Sequence, residues 1–170
     1  MYKRIFFIII ILGIFLLSIM GALAYNEDFL YDRHTSSTRQ FLVSITRPDG
    51  YESTFRRAYI ICGNTEQEDI RVVLLAYNNY IGKYEPLYNT EGYSTWDIKG
   101  SGIFMKEFRL PIVGANMVRV IAYNKNNENA LVFGENVQVS NFTITLLNRG
   151  IKDVIRNGLF RITDMLRSII

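Results

Sequence analysis

Between Gln40 and Leu147, short runs rich in β-branched and aromatic residues alternate with turn signals, and that rhythm leaves room for little but a sheet protein. Phe41 to Ile45 alternates imperfectly and meets Pro48-Asp49-Gly50, where proline presets φ and glycine accepts a positive one. Phe55 to Cys62 ends at Gly63-Asn64-Thr65. Ile70 to Tyr77 follows, with Val72, Val73, Leu74 and Leu75 dense enough to be buried on both faces. Weaker runs lie at Gly82 to Tyr88 and around Trp96. Ile103 to Leu110 alternates in part, and Met117 to Tyr123 sets Val118, Val120 and Ala122 on one side. Asn129 to Phe133 and Val137 to Leu147 complete the series. Eight or nine strands of this kind predict a mainly β fold, a sandwich of two antiparallel sheets over residues 40–147.

Both ends depart from that rhythm. Met1-Tyr2-Lys3-Arg4 precedes an unbroken apolar run from Ile5 to Leu17, and Ala22-Leu23-Ala24 stands before Tyr25. A basic start, an apolar centre and small residues two apart are what export and signal cleavage require, so residues 1–24 read as a signal peptide. Ile5 to Tyr25 is also about the 20 residues that cross a bilayer core, so a permanent N-terminal transmembrane anchor fits as well. Either way Lys3 and Arg4 hold the N-terminus on the cytoplasmic side and place Tyr25 onward outside the membrane, secreted or attached to its outer face. Residues 25–39 are polar with charges of both signs and predict a flexible lead-in. Residues 148–170 predict a C-terminal amphipathic helix. Its stripe is Ile151, Val154, Ile155, Leu159, Ile162, Met165, Leu166, Ile169 and Ile170, with Lys152, Asp153, Arg156, Asp164 and Arg167 off it. Such a stripe packs on its own sandwich, docks into a partner, or lies in a membrane interface through residues 150–170.

Setting Lys3 and Arg4 aside leaves 17 basic against 16 acidic residues, a nearly neutral body that argues against nucleic acid as a partner. Cys62 is the one cysteine, so no intrachain disulfide and no paired-thiolate zinc site is available, and its apolar run predicts a buried, inert thiol. His34, the one histidine, falls in the lead-in without an evident triad. Asp97, Glu107 and Glu135 have no spacing that marks an acid–base pair. Glu27-Asp28 and Glu66-Gln67-Glu68-Asp69 lack the glycine-centred loop of a calcium site. Asn141-Phe142-Thr143 matches a glycosylation acceptor but sits in a predicted strand. No catalytic, cofactor or metal residue is assigned.

Four stretches carry a resemblance: Ile45-Thr46-Arg47-Pro48, Ile61-Cys62-Gly63-Asn64-Thr65, the run Gly102 to Leu110, and Gly114-Ala115-Asn116 opening the run to Ala122. Through them residues 40–124 resemble the Ig-like domains of secreted bacterial surface proteins and carbohydrate-active enzymes, in particular the glucodextranase B-like group. The resemblance implies an Ig-like sandwich that presents, spaces or binds, and it brings no catalytic residues with it. The chain departs from the pattern in one extra residue between Leu110 and Gly114, in an insertion over Tyr77 to Trp96, and beyond residue 129.

That insertion holds Tyr77, Tyr80, Tyr84, Tyr88, Tyr93 and Trp96 within 20 residues. Such rings stack on sugars, anchor a protein interface, or simply cover a hairpin. The expected function is therefore a non-enzymatic, exported, structural or protein-binding module of a bacterial cell envelope. A module binding cell-wall glycan through the aromatic segment is the alternative, and a small carboxylate hydrolase is a third reading.

Overall fold

The computed structural model describes residues 28–100, 102–148, 150 and 156. The expected signal or anchor at 1–24 lies outside them, as does nearly all of the expected C-terminal helix. No helix among the described residues is long and apolar enough to cross a membrane.

A one-turn helix α1 (Asp28–Tyr31) precedes nine strands. These are β1 (Ser44–Arg47), β2 (Glu52–Thr54), β3 (Ala58–Asn64), β4 (Ile70–Asn78), β5 (Lys83–Pro86), β6 (Thr95–Asp97), β7 (Ile103–Arg109), β8 (Gly114–Asn124) and β9 (Val137–Leu146). They form the expected mainly β sandwich: a three-stranded sheet β1-β3-β7 faces a larger one ordered β2-β9-β8-β4-β5, with β6 beside β5 on the same edge of β4. The larger sheet is not wholly antiparallel, as had been expected, because β2 runs parallel to β9. After β1 the chain crosses from one sheet to the other and continues in the same direction. The predicted strand at Asn129 to Phe133 does not form. The Val132 carbonyl instead accepts from the amides of Glu135, Asn136 and Val137, and the Asn136 side chain bonds Ala130 and Val132, curling the segment into a compact loop.

Alternation places the core between the layers. Tyr59, Ile61, Phe104 and Phe108 point in from the small sheet. Val72, Leu74, Val118, Val120, Ala122 and Ile144 meet them from the large one. Gly63 admits no side chain, since a Cβ there would lie 2.6 Å from the Phe104 ring and 2.9 Å from the Ser44 carbonyl oxygen. At Gly102, φ is +66° and a Cβ would strike the Thr65 carbonyl.

The outer face of the large sheet has its own apolar layer of Leu75, Ile121, Tyr123, Val137 and Val139, covered by Leu30, Tyr84 and Leu131. Each aliphatic chain so covered contributes roughly 2 kcal/mol. Residues 28–39 supply much of that cover, which corrects the expectation of a loose lead-in. The Thr38 amide donates to the Val139 carbonyl at 2.8 Å and the Asn141 amide to Ser37 Oγ at 2.9 Å, extending the edge of β9 beyond the reach of β2. The buried Gln138 then pins the approach to β1. Its Oε1 accepts from the amides of Phe41, Leu42 and Val43 at 2.9, 2.8 and 3.0 Å, while Nε2 donates to the Val43 carbonyl at 2.7 Å.

Candidate functional site

The six aromatic residues of the expected binding surface do not share one surface. On β4 and β5, Tyr77 and Tyr84 are directly paired and meet edge to face at 5.4 Å, and Tyr84 is buried. Trp96 on β6 turns inward against the core, its ring 5.6 Å from that of Phe104. Alternation and the short β6 pairing therefore absorb three of the six into packing. Tyr88 and Tyr93 are exposed and flank a tight turn in which Asn89 Oδ1 accepts from the amides of Glu91 and Tyr93. Tyr80 stands 99% exposed in the turn between β4 and β5.

Tyr84 has a partner that sequence reasoning passed over. Arg119, in the middle of β8, is 0% exposed, and its guanidinium lies 3.9 Å from the Tyr84 ring centroid. Nη1 donates to the carbonyls of Leu30 at 2.7 Å and Asp32 at 2.9 Å, Nη2 to that of Thr35 at 3.0 Å, and Nε to Asn141 Oδ1 at 2.7 Å. Burial lowers the pKa of this guanidinium, though arginine keeps its charge in any protein setting. A buried cation is tolerated here because backbone dipoles and an aromatic face replace its water. The signal available in the sequence was a single charge inside the otherwise apolar run from Met117 to Tyr123. Asn141, the possible glycan acceptor, is engaged in the same network, its Nδ2 donating to the Thr35 carbonyl.

One end of the sandwich gathers apolar side chains on three turns. Residues 55–57 link β2 to β3, 79–82 link β4 to β5, and 110–113 link β7 to β8. Arg57 Nη1 donates to the Pro111 carbonyl at 3.3 Å and the Leu110 amide to the Arg57 carbonyl at 2.8 Å, so the first and third turns touch. Asn116 shapes the third: Oδ1 accepts from the Ile112 amide while Nδ2 donates to the carbonyls of Ile112, Gly114 and Ile144. Gly114, at φ +102°, supplies the backbone this turn needs. Between the second and third turns lies a cleft of about 240 Å³ lined by Tyr77, Tyr80, Pro86, Leu87, Ile112 and Met117. Ile81, Ile112 and Val113 are exposed around it. Apolar residues inside turn sequence were the unread clue.

The outer face of the small sheet is also apolar in part. Met105 is paired with Cys62, and Ile103 and Met105 are 65% and 66% exposed. Cys62 is half-buried on that face rather than sealed in the core.

Several titratable groups elsewhere are held in ion pairs. Arg71 lies 2.8 Å from both Asp97 and Glu128, and its hydrogen bond is the main cause that holds Asp97 below its ordinary pKa. Lys125 pairs with Asp69 at 2.9 Å. Glu107 and Glu135 are exposed on other elements and do not join Asp97. His34 is exposed. No group of three or more acidic, histidine or cysteine side chains among the described residues is placed to hold a metal.

These features define the class: a mainly β sandwich carrying exposed apolar surfaces on one end and one face. No protein-family model matches the chain, and no curated protein matches it. Among solved structures, the chain is similar to one in the crystal structure of the complex formed between zinc 2-glycoprotein and prolactin inducible protein from human seminal plasma. The TM-score is 0.36 at 10% identity, over 64% of this chain and 97% of that one. A likeness of that degree bears on neither activity nor partners.

Proposed function

We propose that this chain is a non-enzymatic, exported module of a bacterial cell envelope, an Ig-like sandwich that binds another protein through the outer face of its three-stranded sheet. Export rests on Met1 to Ala24 as a sequence pattern. The Ig-like reading is supported by the division of strands: β1, β3 and β7 oppose β9, β8, β4 and β5, as in sandwiches of that topology. The observation that carries the binding role is a contrast between two faces. The large sheet has its outer apolar layer covered by Leu30, Tyr84 and Leu131, whereas the small sheet leaves Ile103 and Met105 exposed beside Ile60 and Cys62. Apolar side chains grouped on one sheet face favour a protein surface, here bounded by Glu107, which is paired with Ile60.

A photo-crosslinking residue at Met105, in cells producing the full chain, is expected to give one discrete adduct that Ile103→Glu abolishes while the sandwich stays folded. Absence of any adduct, or an adduct indifferent to Ile103→Glu, refutes the binding face. Recovery of the chain from the cytosol with Met1 intact refutes export. The glycan alternative keeps support from the exposed pair Tyr88 and Tyr93. Retention on cell-wall polysaccharide that Tyr88→Ala and Tyr93→Ala together eliminate would favour it over a protein partner.

A further inference from the structure

The end of the sandwich formed by residues 55–57, 79–82 and 110–113 combines two properties that seldom coincide on a freely solvated tip. Its turns present Tyr80, Ile81, Ile112 and Val113 outward, all exposed. Around them stand Arg56, Arg57, Lys83 and Arg109, likewise exposed, and the three turns contain no carboxylate. Of the carboxylates on the adjoining strands, Glu85 is engaged by Asn78 Nδ2 at 2.7 Å and Glu52 by the Tyr59 hydroxyl at 2.6 Å, while Glu107 is exposed on β7. The opposite end has an excess of acidic groups, with Asp97 at the end of β6 and Glu66, Glu68, Asp69, Glu128 and Glu135 on the loops after β3 and β8, against Arg71, Lys99 and Lys125. The molecule is thus electrically polarised along its strands although its body is nearly neutral.

We infer that the basic, apolar-tipped end docks onto an anionic lipid surface, with Tyr80, Ile81, Ile112 and Val113 in the headgroup region and Arg56, Arg57, Lys83 and Arg109 against lipid phosphates. Apolar side chains ringed by Lys and Arg are the composition that binds a bilayer interface, with tyrosine suited to the headgroup level. Ionic attraction to the surface and apolar insertion reinforce each other only where both occur on one projecting end, as here. Asn116 and the bond between Arg57 and Pro111 hold the turns in place beforehand, so little ordering is left for the moment of contact. The Leu147 amide donates to the Thr54 carbonyl at 2.8 Å at this same end, tying the close of β9 to the turn after β2. This surface differs from the sheet face proposed for a protein partner, and either can fail without the other.

The test uses the full chain with vesicles of equal parts phosphatidylcholine and phosphatidylglycerol. Two single-tryptophan reporters, Ile81→Trp at the tip and Glu135→Trp at the opposite end, are made with Trp96→Phe. Brominated phosphatidylcholine is expected to quench the reporter at position 81 and not that at 135. Raised salt, or vesicles of phosphatidylcholine alone, should remove the quenching. Arg56→Gln with Arg57→Gln should lower the docked-to-free ratio about 25-fold, at roughly five-fold per basic residue. Lys83→Gln with Arg109→Gln should do the same, which guards against a local folding defect in the first pair. Equal quenching at both positions, quenching that persists on neutral vesicles, or no quenching at 81 overturns the inference. So does a reporter at 81 already shielded from aqueous iodide without lipid, which would mean that residues 150–170 or a second copy cover the tip.

Discussion

Replacing Arg119 by methionine tests how the chain's start is held to its sheet. Methionine fills most of the same volume, so the change isolates the hydrogen bonds and the aromatic contact from packing. Four backbone carbonyls, those of Phe29, Leu30, Asp32 and Thr35, and Asn141 Oδ1 lose a charged donor at 2.7–3.3 Å, and Tyr84 loses a cation 3.9 Å above its ring. Hydrogen bonds from a charged donor contribute roughly 1.5–3 kcal/mol each, but the loss saturates once residues 28–38 detach and their carbonyls recover water. What remains lost is the docking itself, including the cover over Leu75 and Ile121, and about 3–4 kcal/mol is expected. At about 4 °C per kcal/mol for a domain of this size, the melting temperature should fall by about 12–16 °C. Hydrogen exchange should show the amides of Thr38 and Asn141 losing protection while β3 and β4 keep theirs. Arg119→Lys should recover only part of the loss, because an ammonium cannot reach all five acceptors as the planar guanidinium does. A fall under about 4 °C, or unchanged protection at Thr38, would refute the account of Arg119 as the lock on the lead-in.

Gln138→Met strands the amides of Phe41, Leu42 and Val43 and should cost roughly 2–3 kcal/mol, with exchange at residues 41–45 accelerating first; uniform loss across the domain would contradict a local role. Gly63→Ala forces a Cβ to within 2.6 Å of the Phe104 ring, and about 2–3 kcal/mol of destabilisation is expected in urea titration, against no change if that packing is loose. Burial is the first cause that raises the pKa values of Tyr59, Tyr84 and Tyr123, and the hydrogen bond to Glu52 adds to it at Tyr59. The folded state therefore keeps these protons longer than the unfolded one. The stability these groups contribute is complete below about pH 10 and is lost as pH rises above it. Urea titrations at increasing alkaline pH should show that fall, and Tyr59→Phe should flatten it.

Strand identity was readable wherever alternation met a buried face. Val118, Val120 and Ala122 do lie together on the core side of β8, and Val72, Leu74 and Leu75 are buried toward both faces of β4. The Gly114 and Asn116 turn signal is realised in side-chain bonds to Ile112 and Gly114. The three-residue β2 was invisible because its pairing with β9 is a contact between residues some 92 apart, such as Glu52 with Ile144. The aromatic segment misled for a related reason: closeness in sequence was taken as closeness on a surface, but β5 and β6 send Tyr84 and Trp96 to opposite sides of the large sheet.

What the amino-acid order determines by itself is which side of each strand a residue occupies, since a period of two is a local property of extended backbone. It determines equally the nearly neutral body and the apolar, basic-headed start. Only the tertiary structure decides which outward side chains are then covered. Arg119 and Ile121 face away from the inter-sheet core just as Met105 does, yet the first two are sealed under residues 28–35 while Met105 stays exposed. Coverage depends on segments 80 to 110 residues apart meeting, as Leu30 and Thr35 do at Arg119 and Asn141, and no local pattern encodes such a meeting.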